Sequence, residues 1–195
     1  MRIVTLVSGG LDSTLVVKLA KDEGVEIYPL FIDYGQIARE TELKSCEEAL
    51  AAVGVHKFEI AELSGFGKLI KSGLTDPTLD IVNDAFTPGR NMLFLLTAAA
   101  YAYQNNADAI SIGLLHESTS LFPDQSTEFL EKAEELIEVI MGYKIRVLAP
   151  LREFMKPDVI ELAKLKGITK TYSCHTGNLE PCGKCIACKE FEMEV

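Results

Sequence analysis

A chain of 195 residues, 48% hydrophobic and 25% charged, is long enough to bury one sizeable α/β core and has an ordinary globular composition. Its net charge of −10 argues against a nucleic-acid backbone as main partner, because that affinity depends on clustered Lys and Arg displacing counterions. A small anionic ligand stays compatible, since a local nest of N–H groups can hold one against an acidic surround.

The opening residues MRIVTLV form a β-branched run that predicts a buried strand over 2–7, ended by a Ser8-Gly9-Gly10 turn. That run is too short for a signal segment. Leu15, Val16, Leu19 and Ala20 recur at helical spacing over 12–23, and Gly24 stands where a cap would. A strand over 25–32, a helix over 37–53 closed by Gly54 and a strand over 55–60 follow. Residues 64–89 have weak periodicity and read as a long functional excursion. The stretch 90–104 is apolar nearly all round, which suits a helix buried against a sheet or at an interface; it is too short to span a bilayer. Strands over 109–113 and 145–149 bracket an amphipathic helix over 129–141, and a helix over 156–166 carries Pro157 in its first turn. This alternation predicts an α/β fold, a parallel sheet with helices on both faces and ligands at the carboxyl ends of the strands. The composition changes near residue 171, so 1–170 is expected to form the main domain and 171–195 a cysteine-bearing appendage of the same compact unit.

Ser8-Gly9-Gly10-Leu11-Asp12-Ser13-Thr14 joins the first strand to the first helix. Glycines let the backbone turn and approach a ligand closely. A helix start offers unpaired N–H groups and a positive dipole end to phosphate oxygens. Ser8, Ser13 and Thr14 add hydroxyls, and Asp12 gains a purpose if it helps to hold Mg²⁺; a helix entry capped by Asp12 or Ser13 is the plainer alternative. No G-x-x-x-x-G-K-[ST] motif occurs, and Gly65 and Gly67 lack the third glycine of a dinucleotide fingerprint.

Arg90 follows Thr87-Pro88-Gly89 at a predicted helix start, where a cation opposes the dipole unless an anion shares the spot. Lys156 raises the same argument before Pro157, while Asn91 reads as a cap. Five cysteines without a secretory signal point to a reducing, cytoplasmic setting. Cys174, Cys182, Cys185 and Cys188 have the spacing of a closed four-thiolate zinc site; an iron–sulfur cluster is the competitor, though the fourth cysteine lies upstream. Cys46 reads as core, His56 as loop, and His175 as a neighbour of the site rather than a ligand.

SGGLDST resembles the signature of PP-loop ATP pyrophosphatases. The resemblance implies that Ser8, Gly9, Gly10, Leu11, Asp12, Ser13 and Thr14 hold ATP with Mg²⁺, and that Asp33 lies near the nucleotide. With IDYGQ, TPGRN, Gly113, Pro123-Asp124, Lys156 and YSCHTG…PCGKCIAC, the whole chain resembles the 7-cyano-7-deazaguanine synthases of queuosine and archaeosine biosynthesis. That implies a homodimeric ligase turning 7-carboxy-7-deazaguanine, ammonia and ATP into the nitrile. Asp12, Arg90 and Lys156 would carry catalysis, and Gln36 and Glu117 would contact the deazapurine. The chain departs from the family at Ile37-Ala38, where Arg-His is usual, and at Leu114-Leu115-His116-Glu117-Ser118. A divergent enzyme adenylating another acceptor, in amidation or tRNA thiolation, and a non-enzymatic nucleotide-binding zinc protein are the other readings.

Overall fold

The computed structural model describes residues 1–192. Five parallel strands form one sheet: β1 (Arg2–Val7), β2 (Glu26–Asp33), β3 (Glu59–Glu62), β4 (Ala109–Ser111) and β5 (Arg146–Leu148), in the order β3-β2-β1-β4-β5. Helices α1 (Leu11–Asp22), α2 (Arg39–Ala52), α4 (Arg90–Gln104), α5 (Thr127–Met141) and α6 (Lys156–Leu165) surround it, with one-turn helices α3 (Gly65–Leu69) and α7 (Ile186–Glu190) in the connections.

Strand side chains alternate between two faces, and this alternation sorts the core. Val4, Leu6, Leu30, Ile32 and Ile110 point to one face, where Leu95 and the alanines 98, 99 and 102 of α4 meet Leu130, Ala133 and Ile137 of α5. The small alanines let α4 lie close to the sheet. Val7 and Phe31 point the other way, onto Val17 of α1 and Cys46 and Leu50 of α2. Leu11, Leu15 and Val16 of α1 then pack on Val159 and Ala163 of α6. Cys46 is fully buried in this layer, and burial pushes its thiol up to about 12, so it packs as an inert core residue.

The chain leaves β1 towards β2 and returns on the opposite side at β4. The carboxyl ends of β1 and β4 therefore form a topological switch point, where a parallel sheet opens a crevice.

Two expected boundaries and one expected cap differ in the structure. Val55 N–H bonds back to Leu50 O at 2.8 Å while Gly54 takes φ +75°, so residues 54–55 close α2 and β3 starts only at Glu59. The second helix begins at Arg39, not residue 37: residues 37–38 form a turn in which Arg39 N–H bonds to Gln36 O (3.2 Å), and Ile37 N–H is taken by Leu74 O (2.9 Å). Asn91 does not cap α4 with its own side chain: the Asp124 carboxylate accepts from Asn91 N–H at 3.3 Å. The 64–89 excursion is built rather than slack. Asp76 and Asp80 fold it into side-chain-capped turns, and its Leu74 and Ile81 pack against Cys174, Cys185 and Ala187 of the C-terminal segment.

Candidate functional site

A cavity of about 280 Å³ opens at the switch point, lined by the β1–α1 loop, Gly113, the start of α4 and the cysteine-bearing segment. A second of about 120 Å³ adjoins it and shares Asp12, Gly113 and Glu190.

The loop is shaped to receive an anion. Gly10 stands at the N-cap of α1 without a side chain to satisfy the first turn, and the Ser13 and Thr14 hydroxyls donate backwards to Gly10 O (3.3 and 2.8 Å). Leu11, Asp12 and Ser13 N–H groups have no protein acceptor among the described residues. They remain for a ligand, with the helix dipole behind them. Gly9 O accepts from Ser45 Oγ (2.8 Å) and Tyr172 N–H (3.0 Å), which clamps the loop between α2 and the C-terminal segment. A Cβ on Gly9 would stand 2.5 Å from Cys46 N, and its φ is +78°. Gly9→Ala is therefore expected to cost about 3 kcal/mol in urea unfolding and to weaken ATP binding. Gly24→Ala, equally left-handed but with nothing within 4 Å, should cost only about 1 kcal/mol and leave ATP binding intact.

Lys156, 2% exposed, emerges from the first turn of α6 and reaches across to Asp12, with Nζ 2.8 and 3.0 Å from the two carboxylate oxygens. Glu190 of α7 approaches the same Nζ at 3.2 Å, and the Phe191 ring lies 4.7 Å from it. Burial pushes the Glu190 carboxyl up, against the pull of Lys156. A lysine was expected here; the glutamate was not, since nothing in the KEF tripeptide signals a buried ion pair.

The rest of the cavity is aromatic and sparsely charged. Tyr34 and Phe94 pack with ring centroids 5.2 Å apart, and the Arg90 guanidinium lies 5.8 and 5.9 Å from their centroids. Arg90 has no carboxylate partner among the described residues. Gln36 lines this recess, but its amide is committed to Tyr34 N–H, Ile32 O and Glu42. Burial pushes the Glu42 carboxyl up, opposed by the Gln36 hydrogen bond. His175 completes the wall; burial, with Arg90 nearby, pushes its imidazole down to about 4.

Two further residues singled out in the sequence stand outside the cavity lining. Asp33 accepts from Gly35 N–H and Arg39 Nε, both at 3.0 Å, and so shapes the turn after β2. Glu117 pairs with Arg152 at 3.3 Å and accepts from the Thr127 hydroxyl.

Cys174, Cys182, Cys185 and Cys188 bring four sulfurs within 4.8 Å of one another. The Cys182–Cys188 and Cys174–Cys185 pairs stand at 4.0 Å. Thiolates around one tetrahedral ion with metal–sulfur bonds of about 2.3 Å would be about 3.8 Å apart. In an iron–sulfur cluster the thiolates would be divided among two or four irons, and those on different irons would stand farther apart. Burial opposes ionisation of Cys174, but the Thr176 hydroxyl and the Cys182 and Thr176 N–H groups outweigh it and hold the thiol at about 6. Cys188 is pushed up to about 12 by burial and by the Cys185 thiol beside it. Four sulfurs this close can ionise together only around a cation.

The family described as "Queuosine biosynthesis protein QueC" matches residues 2–193. A 7-cyano-7-deazaguanine synthase of Campylobacter jejuni is 33% identical over 96% of this chain and 90% of its own length. One from Prochlorococcus marinus is 36% identical over 95% and 89%. Among solved structures, NMN synthetase from Francisella tularensis shares the fold with a TM-score of 0.57 at 16% identity, over 93% of this chain and 70% of that one. That likeness is one of fold, and no helix among the described residues is long and apolar enough to cross a membrane. The chain belongs to the queuosine-biosynthesis QueC family.

Proposed function

We propose that the chain is a carbon–nitrogen ligase that converts 7-carboxy-7-deazaguanine and ammonia into 7-cyano-7-deazaguanine, activating the acceptor twice with ATP. One observation carries this reading: a single cavity joins the anion-ready loop to an aromatic recess holding an unpaired Arg90. The loop from Ser8 to Thr14 grips the pyrophosphate that will leave, with open N–H groups aimed at its oxygens. Arg90 takes the acceptor carboxylate, Tyr34 and Phe94 bed its planar ring, and Lys156 neutralises charge as the α–β bond breaks. Asp12 and Glu190 are the carboxylates beside the loop that would supply oxygen ligands to the Mg²⁺ accompanying ATP. Attack by the carboxylate releases pyrophosphate; ammonia then displaces AMP to give the amide. A second adenylation, on the amide oxygen, lets AMP leave with that oxygen and closes the nitrile.

Zinc is the ion that the four cysteines would hold, and the site has no open position, so its role is structural. We place the enzyme in the cytoplasm as a homodimer. An exposed apolar stripe supports self-association: Leu136, Val139 and Ile140 of α5 lie beside the paired Tyr103 and Tyr143.

Incubating the metal-loaded protein with Mg-ATP, ammonium and 7-carboxy-7-deazaguanine tests the reading, with mass spectrometry of the nucleobase and AMP. The expected result is nitrile whose formation stops when either the nucleobase or ammonium is left out. ATP binding without any conversion would point to another acceptor.

A further inference from the structure

We infer that His175 is a specificity-determining contact, whose ring hydrogen-bonds the heterocycle of the acceptor while Arg90 takes the acceptor's carboxylate. The inference rests on the ligase reading above and adds a residue to it.

His175 lines the main cavity, and neither ring nitrogen has a hydrogen-bond partner among the described residues. Nδ1 is enclosed; the other nitrogen, Nε2, is left to the cavity. A buried imidazole without partners is rare, because an unmet polar group in low dielectric costs about 1–3 kcal/mol. No ligand can reach the enclosed Nδ1, but Nε2 has no protein partner among the described residues and is the nitrogen that a molecule in the cavity can meet.

Three other polar side chains of the cavity lining are already engaged. Gln36 is bonded at both ends of its amide, Glu42 accepts from Gln36, and Asn91 donates to Asp124 O. Arg90 and His175 keep capacity to spare, and both line the cavity together with Tyr34 and Phe94. A cation for a carboxylate, a ring nitrogen for an edge and two aromatic faces for a plane together describe a nitrogen heterocycle bearing a carboxylate.

The fold also fixes where the ring stands. Cys174 precedes it in the four-sulfur cluster, and Cys185 of that cluster lies close by. The metal segment therefore holds this histidine in place. That gives the appendage a share in choosing the acceptor besides its part in stability.

The test is isothermal titration of 7-carboxy-7-deazaguanine, and separately of a non-hydrolysable Mg-ATP analogue, into the metal-loaded wild type, His175→Ala and His175→Gln. Gln sets an amide where Nε2 stands and keeps the volume, so it serves if Ala disturbs the segment. Metal content is measured for each protein. We expect deazapurine affinity to fall about tenfold in H175A, about 1.4 kcal/mol, and to return most of the way in H175Q. Nucleotide affinity should stay within about twofold and metal content should not change. In turnover, KM for the deazapurine should rise with kcat little altered. Unchanged deazapurine affinity, or an equal loss of nucleotide affinity, would overturn the inference and leave the ligase reading standing. A wild type that binds the nucleotide but not the deazapurine would overturn both.

Discussion

Lys156→Ala is expected to lower ATP turnover by about 10²–10³-fold, the scale seen when one preorganised charge at a transition state is removed. The ammonium of Lys156 is nearly sealed from solvent and stands between Asp12 on the phosphate loop and Glu190 on α7. Without it, two carboxylates face each other beside the incoming triphosphate. The loop then presents net negative charge where it should present positive. Removing one member of a buried pair costs about 3–5 kcal/mol when the remaining charge is fully enclosed. Asp12 and Glu190 are 24% and 34% exposed, so water relieves part of this and about 2 kcal/mol is expected. Lys156→Arg should not rescue, because a planar guanidinium has no room at a position 2% exposed. Steady-state pyrophosphate release and urea unfolding measure the two effects. Wild-type release by a destabilised Lys156→Ala protein would reduce the lysine to a structural tie.

Stripping the metal should be nearly as damaging, and at a distance. The cysteine-bearing segment supplies Tyr172, whose N–H holds Gly9 O, together with His175 and Glu190. Its apolar underside rests on Leu74 and Ile81 of the long excursion. Without a cation, four sulfurs within 4.8 Å cannot all ionise, and the segment loses its staple. A loss of about 3 kcal/mol corresponds to a fall in melting temperature of roughly 10 °C for a chain of this size. ATP affinity should fall with it, because the Gly9 clamp opens. Calorimetry and nucleotide titration before and after chelation, with zinc added back, test the coupling. Unaltered ATP binding by the metal-free protein would show that the phosphate loop stands without the segment.

Much of this was legible in the sequence because the signals are local. A β-branched run before SGG, an apolar helix after Gly89 and four cysteines at short spacing each depend on neighbours a few residues away. The parallel sheet with helices on both faces follows from the alternation of strands and helices along the chain. What the sequence hid was set by distant partners. Asp33 and Glu117 read as free acids near the ligand, yet Arg39 and Arg152 bind them, and both stand outside the cavity lining. Asp124 caps a helix that begins 34 residues earlier, so no window around Asn91 could show it. Glu190 and His175 gain their importance only when the C-terminal segment folds back over the loop.

The two departures from the family's usual pattern also acquire a physical setting. Ala38 is buried, and its backbone lies against Gly177, where a Cβ would stand 2.9 Å from the Ala38 Cα, so the close approach of the metal segment to the start of α2 depends on the glycine. His116 is occupied with Ser118, its Nδ1 2.8 Å from the hydroxyl, and neither residue lines the main cavity. Ile37 and Ala38 stand outside the main cavity lining, and of the second stretch Leu114 alone lines it.

The central claim is that the acceptor's own oxygens attack the α-phosphorus of ATP inside this cavity. Supplying 7-carboxy-7-deazaguanine with both carboxylate oxygens replaced by oxygen-18, and weighing the products, tests it most directly. Each nitrile formed should be accompanied by two AMP molecules, each carrying one heavy oxygen, with pyrophosphate unlabelled. Heavy oxygen in inorganic phosphate or pyrophosphate, or AMP without label, would contradict it.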